Sequence, residues 1–319
     1  MNALSGINDR LKKLKESYLN IQTLVDETHN LFQSASKDKS SEVIKYTNAI
    51  FTRIYLFSEN IKHLIKNNDD PQDWDYRIMY LIVRSIMETV EMLFYVSLEE
   101  DLDENKLFRI NYLKLKEVKY TKFIYTKDEI KKLPEANRGQ LNHRYYLWER
   151  EIEELTNKII SCKYYKRLNE SQQKRVLFGR SKYFYTEIKE QESDSAIRSY
   201  IEQKMGIIPT INYEAAYHLY SSMVHPYDIS SDLYLKTNKA TNKMYWEHII
   251  YALNNSILYI RYSALNIITK VLLSSGMDKD INDSERQRLE KIKKELEKKP
   301  FIVTFTFGYS TNVNWKDYL

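Results

Sequence analysis

Glycine and proline are scarce in this chain, which contains 6 glycines and 5 prolines among its 319 residues. Proteins on average contain about 7% glycine and 5% proline, and folds built from many short strands use both residues in their turns. The scarcity of both therefore argues against a fold of that kind. It favours long helices, and the chain is long enough for them to bury a sizeable core.

Cysteine and long apolar runs are also lacking. Cys162 is the single cysteine, which excludes an internal disulfide and a metal site built from several cysteines, and fits a reducing compartment. No uninterrupted apolar run approaches the roughly 18–20 residues that cross a bilayer. The N-terminal residues 1–18 have no apolar core of the kind that a secretion signal needs. We therefore expect a cytoplasmic protein that does not enter a membrane.

No single sign of charge dominates the chain, because 49 basic residues are interleaved with 44 acidic ones, for a formal net charge of +5. This balance gives only weak support for nucleic-acid binding. The sequence has no glycine-rich phosphate loop, no Walker-type lysine motif and no Gly-x-Ser-x-Gly elbow, which argues against nucleotide-dependent enzymes and esterases. We predict no cofactor. The richness in Lys, Asn, Ile and Tyr is typical of a low-GC bacterial genome.

Two N-terminal segments carry apolar residues at alternating steps of three and four. One runs from Leu4 to Phe32 and the other from Val43 to Leu64, and the polar stretch "SASKDKSS" joins them. This spacing predicts an antiparallel helical hairpin with arms roughly 40 Å long. We interpret the seams as bundle packing in preference to a coiled coil that binds a partner.

The whole chain is predicted to be mainly α, with the hairpin at residues 1–68, a helical bundle at 69–278, and a charged helix followed by a strand at 279–319. Residues 118–126 ("VKYTKFIYT") and 301–310 ("FIVTFTFGYS") alternate in the manner of strands, which predicts a small β element. Because a lone strand leaves its edges unpaired, the C-terminal strand should pair with 118–126 or with a second copy of the protein.

The stretch "LIVRSIMETVEMLFYV", from Leu81 to Val96, predicts a helix that is apolar on most sides yet carries Arg84, Glu88 and Glu91 in one narrow stripe. Arg84 and Glu88 are four residues apart and can pair. Two interpretations stay open. The stripe is either a thin strip that faces water or an interior site, where each charge would have to be paired to offset its desolvation.

A second polar stripe occurs in "NYEAAYHLYSSMVHPYD", where ionisable and hydroxyl side chains recur at steps of four, three and four. Histidine can transfer protons near neutral pH, and a neighbouring carboxylate would hold it in one tautomer. We predict that the two stripes meet away from water and form one polar centre. Its candidate catalytic residues are Arg84, Glu88, His218 and His225, and its candidate binding residues are Glu91, Glu214, Tyr220, Ser221 and Ser222.

A metal site within the second stripe is not predicted. Glu214 and His225 are eleven residues apart, which is about 16 Å along a helix, whereas zinc ligands lie within about 2.3 Å of one ion.

The same two segments resemble a widespread group of uncharacterised bacterial helical proteins, in which a helix with Arg-x-x-x-Glu precedes a helix of the form Tyr-x-x-Ser-x-x-x-His. The resemblance covers roughly residues 73–274. It implies that the shared positions are Arg84, Glu88, Tyr220 or Ser221, Ser222 and His225. It also implies a common polar centre, but no particular reaction.

A weaker similarity links "RGQLNH", from Arg138 to His143, to the HEPN-type helical ribonucleases of toxin and phage-defence systems, whose motif is Arg, four to six residues, then His. Gly139 departs from that pattern, because a polar residue typically follows the Arg. The similarity implies a metal-independent ribonuclease. His143 would act as general base or acid on a ribose 2′-hydroxyl, and Arg138 would stabilise the charge that develops on the phosphate.

Three functional hypotheses follow from these patterns. The first is a cytosolic bacterial accessory or phage-defence-type protein whose polar centre binds a ligand or acts on nucleic acid. The second is a non-enzymatic protein–protein interaction or oligomerisation module that uses the hairpin and the C-terminal strand. The third is the HEPN-like ribonuclease. We expect a protein partner or a homo-oligomer, and whether the protein is an enzyme stays open.

Overall fold

The computed structural model describes most of the chain, and within this part it is helical and contains no strand. The described residues are 3–37, 39, 41–67, 74, 76–124, 130–132, 134–179, 181–188, 194–206, 243–274, 277 and 281–303. The predicted mainly α fold is therefore confirmed. No helix in these ranges combines the length and the apolar character needed to cross a bilayer.

The helices are numbered here in chain order. They are α1 (Ala3–Ser36), α2 (Glu42–Asn67), α3 (Tyr76–Leu93), α4 (Asp103–Ile124), α5 (Glu135–Ser161), α6 (Lys163–Lys166), α7 (Glu170–Phe178), α8 (Asp194–Met205), α9 (Lys243–Asn266) and α10 (Asp283–Glu297). Two π-helical turns, Phe94–Leu98 and Ile267–Leu272, directly follow α3 and α9. The chain divides into two compact units. Unit 1 comprises residues 1–94 and 199–319, and unit 2 comprises residues 95–198.

Helices α1 and α2 of unit 1 form the predicted hairpin. The Tyr18 hydroxyl donates to the Ser58 carbonyl over 2.7 Å, and the Gln33 amide donates to Asn48 Oδ1 over 3.0 Å. Residue numbers rise along α1 as they fall along α2, so the arms are antiparallel. Most of the predicted seam is buried, namely Leu11, Leu14, Tyr18, Ile21, Val25, Thr28 and Phe32 on α1, and Thr47, Ile50, Ile54 and Ile61 on α2.

Helix α9 is the most deeply buried element of unit 1 and packs against both α1 and α3. Helix α10 begins with a capping box formed by Asn282 and Glu285, which satisfies backbone N–H groups at its first turn. Arg261 of α9 donates hydrogen bonds to the carbonyls of Leu296 and Glu297 at the end of α10. A cation at a helix C-terminus complements the macrodipole, so this arginine holds α10 against α9.

Unit 2 is built on the helices α4 and α5, with α6, α7 and residues 181–188 packed around them. Its core is a mixed aliphatic and aromatic cluster of Phe108, Tyr112, Leu115, Leu155, Ile159, Tyr165, Leu168, Val176 and Phe184. Most of these side chains are large, so relatively few of them form a continuous apolar interior.

The short strand predicted near residues 118–126 is wrong, because α4 continues as a helix to Ile124. Val118 packs against the core cluster of unit 2 at a helical position. Lys116 and Lys119, one turn apart, donate to the carbonyls of Gly179 and Leu177 at the end of α7. These contacts stabilise the helix, and tertiary packing therefore overrides the local β propensity of the segment.

The predicted C-terminal strand lies mostly outside the described residues, which end at Val303. Residues 301–303 have no regular secondary structure. The Asn254 side chain of α9 holds Val303 at both of its backbone groups, since Asn254 Nδ2 donates to the Val303 carbonyl over 2.7 Å and the Val303 N–H donates to Asn254 Oδ1 over 3.1 Å. The small β element is thus not seen in the part of the chain that the structure describes.

The substitution Gly179→Ala should destabilise the protein by roughly 1–3 kcal/mol. A Cβ atom at Gly179 would overlap the carbonyl oxygen of Arg175, which is backbone and cannot rotate away. In contrast, Gly139→Ala on α5 should stabilise by about 0.5–1 kcal/mol, because nothing lies within 4 Å of the new methyl group and alanine is the better helix former. Urea unfolding midpoints measure both changes. Shifts of the same sign would contradict this description of Gly179.

Candidate functional site

The polar stripe of α3 runs from the surface into the interior of unit 1. Arg84 Nε donates to Glu88 Oε1 over 3.1 Å, and these two side chains are 26% and 29% exposed. Glu91, one turn further along the helix, is completely buried. Both interpretations of the stripe therefore apply in part, since one end meets water and the other end is enclosed.

The second predicted stripe lies outside the described residues. It contains Glu214, His218, Tyr220, Ser221, Ser222 and His225, all of which fall between residues 207 and 242. The meeting of the two stripes therefore stays a prediction.

Helix α9 carries a buried polar face that sequence reasoning missed. His248, Tyr251, Asn255 and Tyr259 recur at steps of three, four and four, and all four are buried. This spacing places them on one side of the helix. The period is visible in "HIIYALNNSILY", but the many aliphatic residues around it suggested only a deeply buried apolar helix.

His248 of α9 meets Tyr80 of α3. The Tyr80 hydroxyl and His248 Nδ1 are 2.5 Å apart, and the two rings meet edge to face with their centroids 5.5 Å apart. Tyr80 lies on the same side of α3 as Arg84 and Glu91, since the steps of four and seven are helical repeats. Burial lowers the pKa of His248 to about 4, so its imidazole is neutral at pH 7.

A second buried pair joins α9 to α8. The Tyr259 hydroxyl donates to Glu202 Oε1 over 2.9 Å, and the whole Glu202 side chain is buried. Helices α3, α8 and α9 thus carry two buried carboxyl groups, one neutral imidazole and two buried phenols. We call these five residues, Tyr80, Glu91, Glu202, His248 and Tyr259, the polar centre of unit 1. The centre is elongated, because Tyr80 and Glu91 on α3, like His248 and Tyr259 on α9, are eleven residues or about 16 Å apart along their helix.

Unit 2 contains a separate buried ion cluster that the sequence did not indicate. Arg109 of α4 lies 2.9 Å from both the Glu99 and the Asp101 carboxylates and donates to the Tyr95 carbonyl over 2.9 Å. The Tyr185 hydroxyl donates to Glu99 over 3.2 Å, and burial, together with the Glu99 charge, raises the pKa of Tyr185. The cluster joins α4 to the π-helical turn and to the irregular segment 181–188, which indicates a structural role.

The residues of the predicted ribonuclease motif, Arg138 and His143, both lie on α5 and are exposed. His143 is five positions after Arg138, so their side chains leave the helix in directions about 140° apart. One copy of helix α5 therefore does not direct the Arg138 and His143 side chains toward the same phosphate. The ribonuclease reading stays a prediction.

A cleft of about 620 Å³ opens where the two arms of the N-terminal hairpin join. Its walls are Gln33, Ser34, Ser36, Lys37, Lys45 and Asn48. None of these residues belongs to the polar centre, so the cleft is a separate feature of unit 1. Across the described ranges, no three His, Cys, Asp or Glu side chains are grouped so that they could hold a metal ion.

Comparison of the chain with protein-family models, curated proteins and solved structures returns no significant match.

Proposed function

We propose that the polar centre of unit 1 binds a ligand that carries hydrogen-bond donors. The observation that supports this proposal is the enclosure of two carboxyl groups, an imidazole and two phenols within a helical core that is mostly apolar. Burying an ionisable group costs several kcal/mol, and apolar residues of similar volume would stabilise a core at least as well. A site for a ligand accounts for residues that stability alone does not require.

Ligand binding fits this centre better than acid–base catalysis near neutral pH. A general base is most efficient when its pKa lies near the working pH, and burial holds the pKa of His248 at about 4. The neutral imidazole can instead donate or accept a hydrogen bond and position a bound molecule. A carboxyl oxygen accepts hydrogen bonds whether or not the group is ionised, so Glu91 and Glu202 favour a ligand with N–H or O–H groups.

The stripe on α3 supplies a polar connection from solvent to this centre. Arg84 is partly exposed, and Glu91 lies seven residues further along, which is about 10 Å of helix. The resemblance described from the sequence supports placing such a binding protein among bacterial accessory or phage-defence-type proteins.

Glu91→Gln tests the proposal, because it keeps the shape of the side chain and replaces one acceptor oxygen by an N–H donor. We would measure the melting temperature of the protein against a panel of amines, guanidines and nucleosides. A ligand at a hundred times its Kd adds about 2.7 kcal/mol to the stability of the folded state, so one panel member should raise the melting temperature by several degrees. The Glu91→Gln variant should lose that increase.

Glu59→Gln is the matched control. Glu59 of α2 is a partly buried carboxylate that accepts hydrogen bonds from Gln22 and Lys62 over 2.8 Å and belongs to a different polar cluster. This variant should keep the ligand-induced increase in melting temperature. An equal increase in the Glu91→Gln protein, or no increase with any compound in the wild type, would argue that the polar centre is structural.

A further inference from the structure

Three large aromatic rings of unit 2 face solvent. Tyr120, Phe123 and Phe178 are 68%, 79% and 77% exposed. Single exposed apolar residues are common. Three large rings near the C-terminal ends of α4 and α7 are more than that, and exposed apolar patches often mark binding sites. Together with Lys116 and Lys119 they form the basic–aromatic face.

The four α4 members of this face lie on one side of the helix. Lys116, Lys119, Tyr120 and Phe123 follow steps of three, one and three, which keeps their side chains within an arc of about 100°. Earlier on the same side, Tyr112 donates to the Ser181 carbonyl over 2.7 Å and is covered. Phe178 is itself exposed, and from Tyr120 onward this side of α4 faces solvent.

Lysine side chains connect α4 to the Phe178 ring. Lys119 Nζ donates to the Leu177 carbonyl over 2.6 Å and lies 5.9 Å from the centre of the Phe178 ring. Lys116 donates to the Gly179 carbonyl, and its ammonium lies 4.9 Å from the Tyr112 ring. Burial, and then the charge of Lys119, lowers the pKa of Lys116 to about 8. Lys116 and Lys119 lie one turn apart on α4, so an anion bound beside them would offset the repulsion between their charges.

We propose that the basic–aromatic face binds single-stranded nucleic acid. Exposed rings stack on bases without regard to sequence, and lysines beside them neutralise the phosphate backbone. A duplex hides the faces of its bases, so a single strand is the complementary partner. A second copy or another protein fits less well, because lysine is depleted from the cores of protein interfaces. This inference concerns unit 2 and is independent of the ligand proposed for unit 1.

Fluorescence anisotropy with labelled oligothymidylate and oligouridylate of about 12 nucleotides tests the proposal, since that length lies within the usual site size of such surfaces. The wild type should bind both at low salt. The double substitution Tyr120→Ser/Phe123→Ser should weaken binding about tenfold or more, and because both rings are exposed the fold should be unaffected. Leu102→Ser is the control. Leu102 is 65% exposed and directly precedes α4. It lies 21 residues before Phe123, which is about 30 Å along the helix.

The charge contribution has its own matched pair of variants, Lys119→Gln and Lys163→Gln. Each removes one positive charge. Lys163 is far from the face, because its backbone N–H donates over 2.7 Å to Glu104, which lies about 22 Å along α4 from Lys119. For single strands the logarithm of affinity falls with the logarithm of salt concentration by about 0.7 for each phosphate neutralised. Lys119→Gln should reduce the slope by about that amount, and Lys163→Gln should leave it unchanged.

Several results would overturn the proposal. They are no binding of either oligonucleotide, equal affinity in the Tyr120→Ser/Phe123→Ser variant, and equal affinity for a duplex of the same length. A further contrary result would be a dimer in light scattering that the double variant abolishes while the oligonucleotides do not bind. That outcome would assign the face to contact between two copies of the protein.

Discussion

Replacement of Arg109 by methionine is expected to destabilise unit 2 by about 3–5 kcal/mol. The guanidinium is 9% exposed and is bound by Glu99 and Asp101, which are 11% and 19% exposed. Methionine removes the positive charge and leaves two mostly buried carboxylates facing each other. It also removes the hydrogen-bond donor to the carbonyl of Tyr95, which is the first residue of unit 2. The loss therefore combines uncompensated charge with an unsatisfied backbone group.

Urea unfolding, together with limited proteolysis mapped to residues 95–198, measures this effect. Arg150→Met is the matched control, because Arg150 pairs with Glu154 at 3.1 Å on α5 but both side chains are more than half exposed. Such exposed pairs contribute about 0.2–1 kcal/mol. The triple variant Glu99→Gln/Asp101→Asn/Arg109→Met should recover part of the loss, since it no longer buries unpaired charge. An Arg109→Met loss no larger than that of Arg150→Met would contradict the structural role of the cluster.

Acidification from pH 6.5 to pH 4 should cost unit 1 about 3 kcal/mol through His248 alone. The folded protein holds the pKa of this imidazole at about 4, whereas the unfolded chain has an ordinary histidine with a pKa near 6.5. Between these values the unfolded state binds a proton that the folded state does not, so stability falls as the pH falls. Below pH 4 both states are protonated, and His248 contributes no further change.

The measurement is the free energy of unfolding at several pH values in the wild type and in His248→Gln. Carboxylates also titrate near pH 4, so the informative quantity is the difference between the two profiles, which should change between pH 6.5 and pH 4 and stay constant above that window. A difference profile for His248→Gln that stays flat between pH 6.5 and pH 4 would show that the buried Tyr80–His248 pair does not form.

The helical hairpin and the mainly α class could be predicted because they depend on local periodicity. Apolar residues at steps of three and four define the buried sides of α1 and α2 whatever else the chain does. Periodicity could not rule out the strand near residues 118–126, since the residues of this segment fit both the period of a strand and the period of a helix. Contacts with carbonyls some sixty residues away, at Leu177 and Gly179, support the helix.

The candidate site was predictable only in part. The stripe of Arg84, Glu88 and Glu91 is a local pattern, but its burial depends on which helices cover it. The polar face of α9 was missed because its aliphatic neighbours hide the period of His248 and Tyr259. Glu99, Asp101 and Arg109 follow no helical repeat, and they meet only because a π-helical turn and a short loop bring the two carboxylates beside α4. No rule of spacing would have found that cluster.

The amide of Asn254 has a wider consequence for interpreting sequences of this kind. One side chain presents a donor and an acceptor side by side, as the edge of a sheet does, and it satisfies both backbone groups of Val303. A helix can therefore serve as the docking template for an extended apolar segment and remove its need for a neighbouring strand at that position. Alternating aromatic and β-branched residues near a helix with a buried asparagine can thus indicate a chain anchored to that helix, with no sheet involved.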